Sequence, residues 1–321
     1  MTCFLDVRQL TVGGDLATSV AANEGTSIND YAGIFTTDLL AFIRGRHVLI
    51  ASHGFNVDRA AGIACLSNWE SLLQLPQPYS AFLGLLWPGD SVWAHGLDYP
   101  EEPKIANDAG ILIGQFIDAN FANAASISFA SHSLGARVVL ATIANMSLPV
   151  RRLTLMAGAI DDDCLNTEFQ AAIAKIGSVS LLASKEDTVL SMAFPMGNFV
   201  AGIVAEGHPW WRAAIGHTGP AQPWPANFQA SFEIPDQWEF NHGNYLQIDQ
   251  PPAPALAIHA SVESVAAALR DADLPESADR ETWRARLRGV RADAWHRQRR
   301  AASGFTGWSL RRTSRRGCGS S

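Results

Sequence analysis

A strand-like run that ends in a sharp turn is the feature of this sequence most suited to chemistry. Residues 125–131 have strand character, the turn reads S-H-S-L-G, and an apolar helix-like run begins at Gly135. A sharp bend of this kind lifts Ser133 clear of the sheet, above the positively polarised N-terminus of the helix. The bend therefore predicts that Ser133 is a nucleophile, and Gly135 supplies the small residue that the crowded turn requires.

Two observations weaken this interpretation when the turn is considered alone. Ser131 stands where such a turn usually has glycine, so the pattern is S-x-S-x-G. Serine is also a favoured N-cap, and Ser133 would then only begin a core helix. The rest of the chain has to decide, because a serine nucleophile needs a base, an acid that orients the base, and donors for an oxyanion.

The oxyanion donors are predicted at a second strand end. The apolar run 47–52 is followed by H-G-F-N, in which His53 and Gly54 allow the backbone to turn. We expect the backbone N–H groups of Phe55 and Leu134 to form the oxyanion hole. Gly54 as a simple strand-end turn is the alternative.

The acid should follow a later strand, and two places are available. Glu186 and Asp187 follow the apolar run 179–184, and Asp187 is favoured because a helix start comes directly after it. Asp187 in turn has a second interpretation as the cap of that helix. The competing acids, one strand earlier, are Asp161, Asp162 and Asp163.

The base should come last in the chain. His242 lies beside Gly243 in a loop after the final strand, which gives the order Ser133, Asp187, His242 expected for a hydrolase sheet. Two other late histidines, His208 and His217, remain alternatives. The remaining histidines are less suitable: His132 should point away from Ser133, His47 begins a strand, and His95 has no assigned place.

Apolar runs of strand length alternate with helical patterns, which predicts a parallel sheet covered by helices. The strands are expected at 3–7, 47–52, 82–87, 127–131, 152–158, 179–184 and 229–234, with 11–30 as a loop. Residues 195–240 form an irregular, proline- and tryptophan-rich excursion. We predict a catalytic domain over 1–270 and an arginine-rich, partly disordered helix or tail over 271–321.

Composition and charge narrow the class of protein. With 47% hydrophobic and 17% charged residues the chain is typical of globular proteins, and it shows no membrane span or secretory signal. Its four scattered cysteines suggest neither a zinc site nor a disulfide framework, so a cytoplasmic location is expected. Twelve arginines lie in 280–316, but a helix on the acidic body or a disordered end explains them better than nucleic-acid binding.

Taken together, the motifs resemble those of α/β-hydrolases, and within that superfamily of a group of bacterial serine hydrolases. The resemblance covers about residues 45–250. It rests on the order of six segments: SHGFNV (52–57), LLWPGD (85–90), SHSLGARV (131–138), SKEDTVL (184–190), IGHTGP (215–220) and NHGNYL (241–246).

This resemblance implies an α/β-hydrolase fold and a Ser-His-Asp hydrolase for carboxylic esters, with Ser133, His242 and Asp187 in those roles. A lipase, a thioesterase or a binding protein without turnover are the alternatives. A small-molecule ester would be the partner, with no metal or cofactor required, and the oligomeric state stays open. The pocket is expected to include His53, Asn56, His132, Trp210 and Trp211.

Overall fold

The fold is described from a computed structural model. It describes residues 1–13, 15–73, 75–90, 102–192, 213–228, 232–234, 236 and 240–245. Several predictions fall outside these residues: the positions of Trp210, Trp211, His95 and His208, most of the 195–240 excursion, the domain boundary near 270 and the arginine-rich tail.

Nine strands of the described residues form one sheet, in the order β3-β2-β1-β5-β4-β6-β7-β8-β9. Strand β2 runs antiparallel to both of its neighbours, β1 and β3, and the other neighbouring pairs of the sheet, from β1 across to β9, are parallel. The strands are β1 (Thr2–Arg8), β2 (Leu16–Gly25), β3 (Ala32–Gly33), β4 (His47–Ser52), β5 (Ser80–Leu86), β6 (Ser126–His132), β7 (Val150–Met156), β8 (Ile176–Ala183) and β9 (Phe232–Glu233).

The central strands are buried along almost their whole length, as their continuous apolar sequences require. The helices between them are α1 (Thr36–Ile43), α2 (Arg59–Leu73), α3 (Glu102–Asn120), α4 (Gly135–Ala144) and α5 (Gln170–Ile173). A further helix begins at residue 188, and single helical turns occupy Ile215–Thr218 and His242–Asn244.

Helix α4, which follows Ser133, is buried from Gly135 to Ile143. It packs closely on α3 because α3 presents two glycines to it, one turn apart. A Cβ on Gly110 would lie 2.5 Å from Ala141 Cβ, and one on Gly114 would lie 2.7 Å from the Thr142 carbonyl oxygen. The glycines thus let two backbones approach, and this fixes the helix that supports the turn at Ser133.

The strand register brings the predicted site loops to one level. Ser52 pairs with Ser131, Ser131 pairs with Leu155, and Met156 pairs with Leu182. The loops after β4, β6, β7 and β8 therefore leave the sheet side by side at its carboxyl edge, where parallel α/β sheets place their binding crevices.

The predicted mostly parallel sheet with helices is confirmed, but two local predictions are wrong. Residues 11–30 contain strand β2, which the sequence analysis interpreted as loop. Its small and polar residues form no apolar run, since three of its ten residues are exposed and five are only partly buried near the edge of the sheet. The helical sequence pattern of residues 165–176 also predicts a longer helix than the single turn, Gln170–Ile173, that the structure has. Within the described part of the chain, no helix has the length and apolarity needed to cross a membrane.

Candidate active site

Ser133 occupies a strained turn between β6 and α4. Its φ is 53°, in the left-handed region that residues with side chains rarely adopt. The backbone around it is held from both sides: its N–H donates to the Met156 carbonyl at 3.0 Å, and its carbonyl accepts from Ala136 at 3.1 Å and Ala159 at 3.2 Å. Backbone strain that the surrounding hydrogen bonds hold in place in this way is typical of functional sites.

Two glycines allow the chain to come this close. A Cβ on Gly135 would lie 2.3 Å from the His53 carbonyl oxygen, and a Cβ on Gly54 would lie 2.7 Å from Ser133 Cβ. The loop after β4 therefore rests directly against the turn at Ser133. Gly54 is needed for this contact, which goes beyond a simple strand-end turn.

The two predicted oxyanion donors lie on these adjoining segments. Leu134 is the N-cap of α4, with φ −66° and ψ −16°, so its amide belongs to the turn whose N–H groups have no acceptor within the helix. Phe55 follows Gly54 in the loop that touches Ser133, and its ring packs partly buried against the core. Asn56, next to it, has φ 58° and donates its N–H to the Gly89 carbonyl at 2.6 Å.

The three residues chosen as nucleophile, base and acid lie in one hydrogen-bonded chain. His242 Nε2 lies 2.8 Å from Ser133 Oγ, and His242 Nδ1 lies 2.8 Å from Asp187 Oδ2. Because a carboxylate only accepts, Nδ1 carries the proton and Nε2 accepts from the serine hydroxyl. These contacts join positions 109 and 55 residues apart in the chain.

Asp187 makes a hydrogen bond that fits each of the two interpretations drawn from the sequence. Its Oδ1 accepts from the Leu190 N–H at 3.0 Å, as a helix cap does, while Oδ2 accepts from His242. The side chain is fully buried, and these two bonds use one oxygen each. By contrast, Glu186 beside it is exposed.

The loop that carries His242 is fixed by its own hydrogen bonds. Asn241 and Asn244 form a reciprocal capping pair around the helical turn His242–Asn244, and Thr188 Oγ1 donates to Asn241 Oδ1 at 3.3 Å. One residue earlier, the Phe240 carbonyl accepts from Ser184 Oγ at 2.7 Å. The acid loop and the base loop are thus tied together at three points.

His132 lies beside His242 and bonds to the backbone of that residue. Its Nε2 donates to the His242 carbonyl at 2.8 Å, and the two rings are 4.8 Å apart between centroids. Burial lowers the pKa of His132 to about 3, with the nearby His242 as a further cause, so the ring is neutral. His132 is expected in the substrate pocket, and its side chain lies buried between the loops of Gly54 and His242.

His53 also departs from its expected role as a pocket residue. Its ring is completely buried and stacks on Trp87 at 5.7 Å, with 9° between the planes. Nδ1 donates to the Gly54 carbonyl, and the Trp87 indole N–H donates to the His53 carbonyl at 3.1 Å. Burial lowers the pKa of His53 to about 3. The residue supports the loop after β4 from within the core.

The alternatives for acid and base have other contacts. His217 Nδ1 bonds to the Ser184 carbonyl at 3.2 Å, and His47 Nδ1 pairs with Ser126 Oγ at the opposite end of the strands. Asp161 forms a backbone bridge with Ala214 after β7. The carboxylate that hydrogen-bonds to His242 Nδ1 is that of Asp187, in the loop after β8.

Ser131, the irregular position of the turn, stays within the strand. It is buried and pairs with Ser52 on one side and Leu155 on the other. Its Oγ has no hydrogen-bond partner among the described residues. The hydroxyl in place of the usual glycine thus leaves the pairing of β6 intact up to the turn.

A cluster of buried charges near the loop after β4 was missed by the sequence analysis. Arg8, at the end of β1, forms an ion pair with Asp90 and donates to the carbonyls of Val57 at 3.0 Å and Trp87 at 2.8 Å. The LLWPGD segment contained Asp90 as a signal, but its partner lies 82 residues away. Arg8 holds the far end of the loop whose near end touches Ser133.

No group of three or more histidine, cysteine, aspartate or glutamate side chains in the described residues could hold a metal ion. At this edge Ser133, His242 and Asp187 form a hydrogen-bonded chain of serine, imidazole and carboxylate. Such a chain can remove a proton from a hydroxyl, and the αL turn and helix N-terminus beside it can stabilise an anion.

A parallel sheet with a strained serine turn after a central strand defines an α/β-hydrolase. The family model described as an alpha/beta hydrolase of unknown function (DUF900) matches residues 34–203. This span is more than half of the chain, and the chain belongs to that family.

Similar solved structures include hydrolases of low sequence identity. A predicted CIB-like hydrolase from Thermoplasma acidophilum is 13% identical over 76% of this chain and 97% of its own, with a TM-score of 0.38. A thermophilic esterase from the Planctomycetes species Thermogutta terrifontis is 10% identical over 74% and 86%, with a TM-score of 0.40. Esterase PE8 is 13% identical over 71% and 93%, also with a TM-score of 0.40. No curated protein gave a match.

Proposed function

We propose that this protein is a serine hydrolase that cleaves carboxylic esters through an acyl-enzyme. The observation that carries the proposal is the unbroken chain from Ser133 Oγ through His242 to Asp187, with 2.8 Å at each link. A buried carboxylate that orients a histidine toward a serine on a strained turn is the arrangement that makes serine nucleophilic.

The reaction runs in two halves. His242 Nε2 takes the proton from Ser133 as Oγ bonds to the ester carbonyl carbon, and the carbonyl oxygen becomes an oxyanion. The amides of Phe55 and Leu134 stabilise that charge. His242 then gives its proton to the departing alkoxide, which leaves as the alcohol, and Ser133 keeps the acyl group.

Water completes the cycle by the same steps. His242 removes a proton from a water molecule, which attacks the acyl carbon, and the proton returns to Ser133 as the carboxylic acid departs. Asp187 keeps His242 in the required tautomer and stabilises the imidazolium that forms in each half. This scheme uses no metal or organic cofactor.

The test combines turnover with active-site labelling. Wild-type protein should hydrolyse a short-chain chromogenic ester and should react with a fluorophosphonate at Ser133, as mapped by peptide mass spectrometry. Ser133→Ala should lose both signals with an unchanged circular dichroism spectrum. The matched control is Ser71→Ala, which removes an exposed serine on α2 and should behave as wild type.

Unchanged turnover in Ser133→Ala would overturn the proposal, and a protein that neither labels nor turns over would favour a binding module. Lipase and thioesterase substrates require the same machinery, so a chain-length series of esters and thioesters assigns the acyl preference. A cytoplasmic location and a catalytic domain over 1–270 stay predictions.

A further inference from the structure

His132 lies between the two loops that meet at Ser133. On one side its Nε2 bonds to the His242 carbonyl at 2.8 Å. On the other side is Gly54, where an added Cβ would lie 3.1 Å from His132 Nδ1. Tyr245 closes a third side, with its ring 5.8 Å from that of His132. The imidazole therefore bridges the loop of the base and the loop of the predicted oxyanion donor.

The hydrogen bond to His242 fixes the tautomer of His132. A carbonyl oxygen only accepts, so Nε2 carries the proton and Nδ1 carries the lone pair. Nδ1 has no hydrogen-bond partner among the described residues. Burial keeps the ring neutral, with a pKa of about 3. A neutral ring can lie beside His242 without opposing the positive charge that His242 gains during the reaction.

His242 thus has two separate attachments. Asp187 fixes the ring through Nδ1, whereas His132 fixes the backbone through the carbonyl. The ring can reach Ser133 Oγ only if the Cα of His242 is held in place as well. A displacement of about 1 Å at a reacting group can reduce the rate of catalysis about 100-fold.

We propose that His132 is a positioning residue that holds the His242 backbone where its Nε2 reaches Ser133. This inference rests on the proposed hydrolase function. His132 hydrogen-bonds to the backbone carbonyl of His242 and not to its reacting Nε2, so its effect should appear in kcat and in the rate of fluorophosphonate labelling, with KM nearly unchanged.

Three variants separate the hydrogen bond from simple packing. His132→Leu removes the donor and keeps most of the apolar volume. His132→Gln keeps an N–H donor at about the reach of Nε2, whereas the shorter His132→Asn places its donor near the position of Nδ1. The Gln and Asn variants therefore form a matched pair that differs in the reach of one amide.

We expect His132→Leu and His132→Asn to lose about 10- to 100-fold in kcat and labelling rate, with KM within about twofold of wild type. His132→Gln should recover most of the loss. In proton NMR spectra, the downfield signal of the His242 Nδ1–H proton should be sharp in the wild type and in His132→Gln. In His132→Leu the same signal should be broader. Thermal melting of each variant reports on the fold.

The outcomes distinguish this inference from the hydrolase proposal. If wild-type protein is neither active nor labelled, the proposed function fails, and this inference fails with it. If the wild type is active and His132→Leu matches it, only the positioning role is overturned. Equal kcat values for the Gln and Asn variants would overturn it as well, and that comparison remains informative even if His132→Leu does not fold.

Discussion

Two buried polar clusters lie at the carboxyl edge of the sheet, and they are built from different chemistry. The reactive cluster contains Ser133, His242, Asp187 and His132. His132 ends β6 and Ser133 follows it, Asp187 lies in the loop after β8, and His242 begins the helical turn His242–Asn244. The ion-pair cluster contains Arg8, Asp90, Asp6 and Arg59, around the ends of β1 and β5 and the start of α2. The loop after β4 lies between the clusters and touches both.

The side chains of the ion-pair cluster are held in fixed hydrogen bonds and ion pairs. Arg8 donates to Asp90 and to several carbonyls, and Asp90 Oδ2 also accepts from the Gly13 N–H at 2.7 Å. Asp6 accepts from Tyr31 Oη at 2.8 Å and faces Arg59. Because each of these charges has a fixed partner, the cluster can support the loop after β4.

In the proposed reaction, one bond of the reactive cluster must break, the hydrogen bond from Ser133 Oγ to His242. Its other contacts, from Asp187 and His132, hold the histidine at both ends. The hydrogen bonds of the reactive cluster thus converge on Ser133 and His242, whereas fixed charges hold the loop nearby. Variants in the two clusters should therefore separate activity from stability.

The largest effect is expected from Ser133→Gly. Hydrolysis should fall by about 10⁴- to 10⁶-fold, because the nucleophile is gone. At the same time the free energy of unfolding should rise by about 1 kcal/mol, because glycine adopts φ 53° without the strain that serine bears. Ester kinetics and urea denaturation measure the two quantities. A stability loss with retained activity would contradict the assignment of this turn.

Asp187→Asn should reduce kcat about 10⁴-fold while the protein stays nearly as stable. The amide oxygen can still cap the helix that begins at residue 188, through the Leu190 N–H, but the side chain no longer imposes the tautomer that His242 needs. Kinetics and thermal melting test this separation. A loss of only a few-fold would indicate that another acid, such as Asp161, serves His242.

Arg8→Met, unlike Asp187→Asn, should mainly reduce stability. It leaves Asp90 buried without its counter-charge, and we expect a loss of about 3–5 kcal/mol in the free energy of unfolding. Lys104→Met provides the control, since it breaks the exposed pair with Asp108 and should cost about 0.5 kcal/mol or less. Urea denaturation at pH 7 compares the two variants, and equal losses would contradict a special role for the buried pair.

Mild acid should weaken the fold through the neutral histidines. His53 has a pKa of about 3 in the folded chain against an ordinary 6.5, so the unfolded chain takes up a proton that the folded chain excludes. The stability that the neutral His53 ring contributes is complete above pH 6.5 and is lost as the pH falls toward 3. Between pH 7 and pH 5 the expected loss is about 2 kcal/mol.

His53→Phe tests this expectation, because it removes the titrating group and keeps a ring beside Trp87. The variant should show a shallower decline of unfolding free energy with falling pH than the wild type, by about one proton. Identical slopes for the two proteins would show that His53 is not the group responsible.

Much of the sheet could be predicted because buried parallel strands have a local signature. The apolar runs at 47–52 and 179–184 coincide with β4 and nearly with β8. Strand β2 was missed because its exposed positions carry polar and small residues, so its pairing with β1 and not its own composition makes it a strand.

In the site, too, some features could be predicted from local sequence and others could not. Ser133, Asp187 and His242 were chosen by their positions after strands, and the structure brings them within hydrogen-bond distance, while their catalytic roles remain proposals. The burial of His53 and the contact of His132 with the His242 carbonyl could not be predicted, because each depends on a loop far away in the sequence.

The sequence alone determined where strands end and which small residues allow sharp turns, since apolar periodicity and glycine act over a few residues. Only the tertiary structure decided which polar groups pair. Strand register places loops side by side although they lie tens of residues apart in the chain. This placement pairs Arg8 with Asp90, gives Asp187 its two hydrogen-bond donors and encloses the ring of His132. Desolvation there makes each pairing consequential, because an unpaired buried polar group is costly.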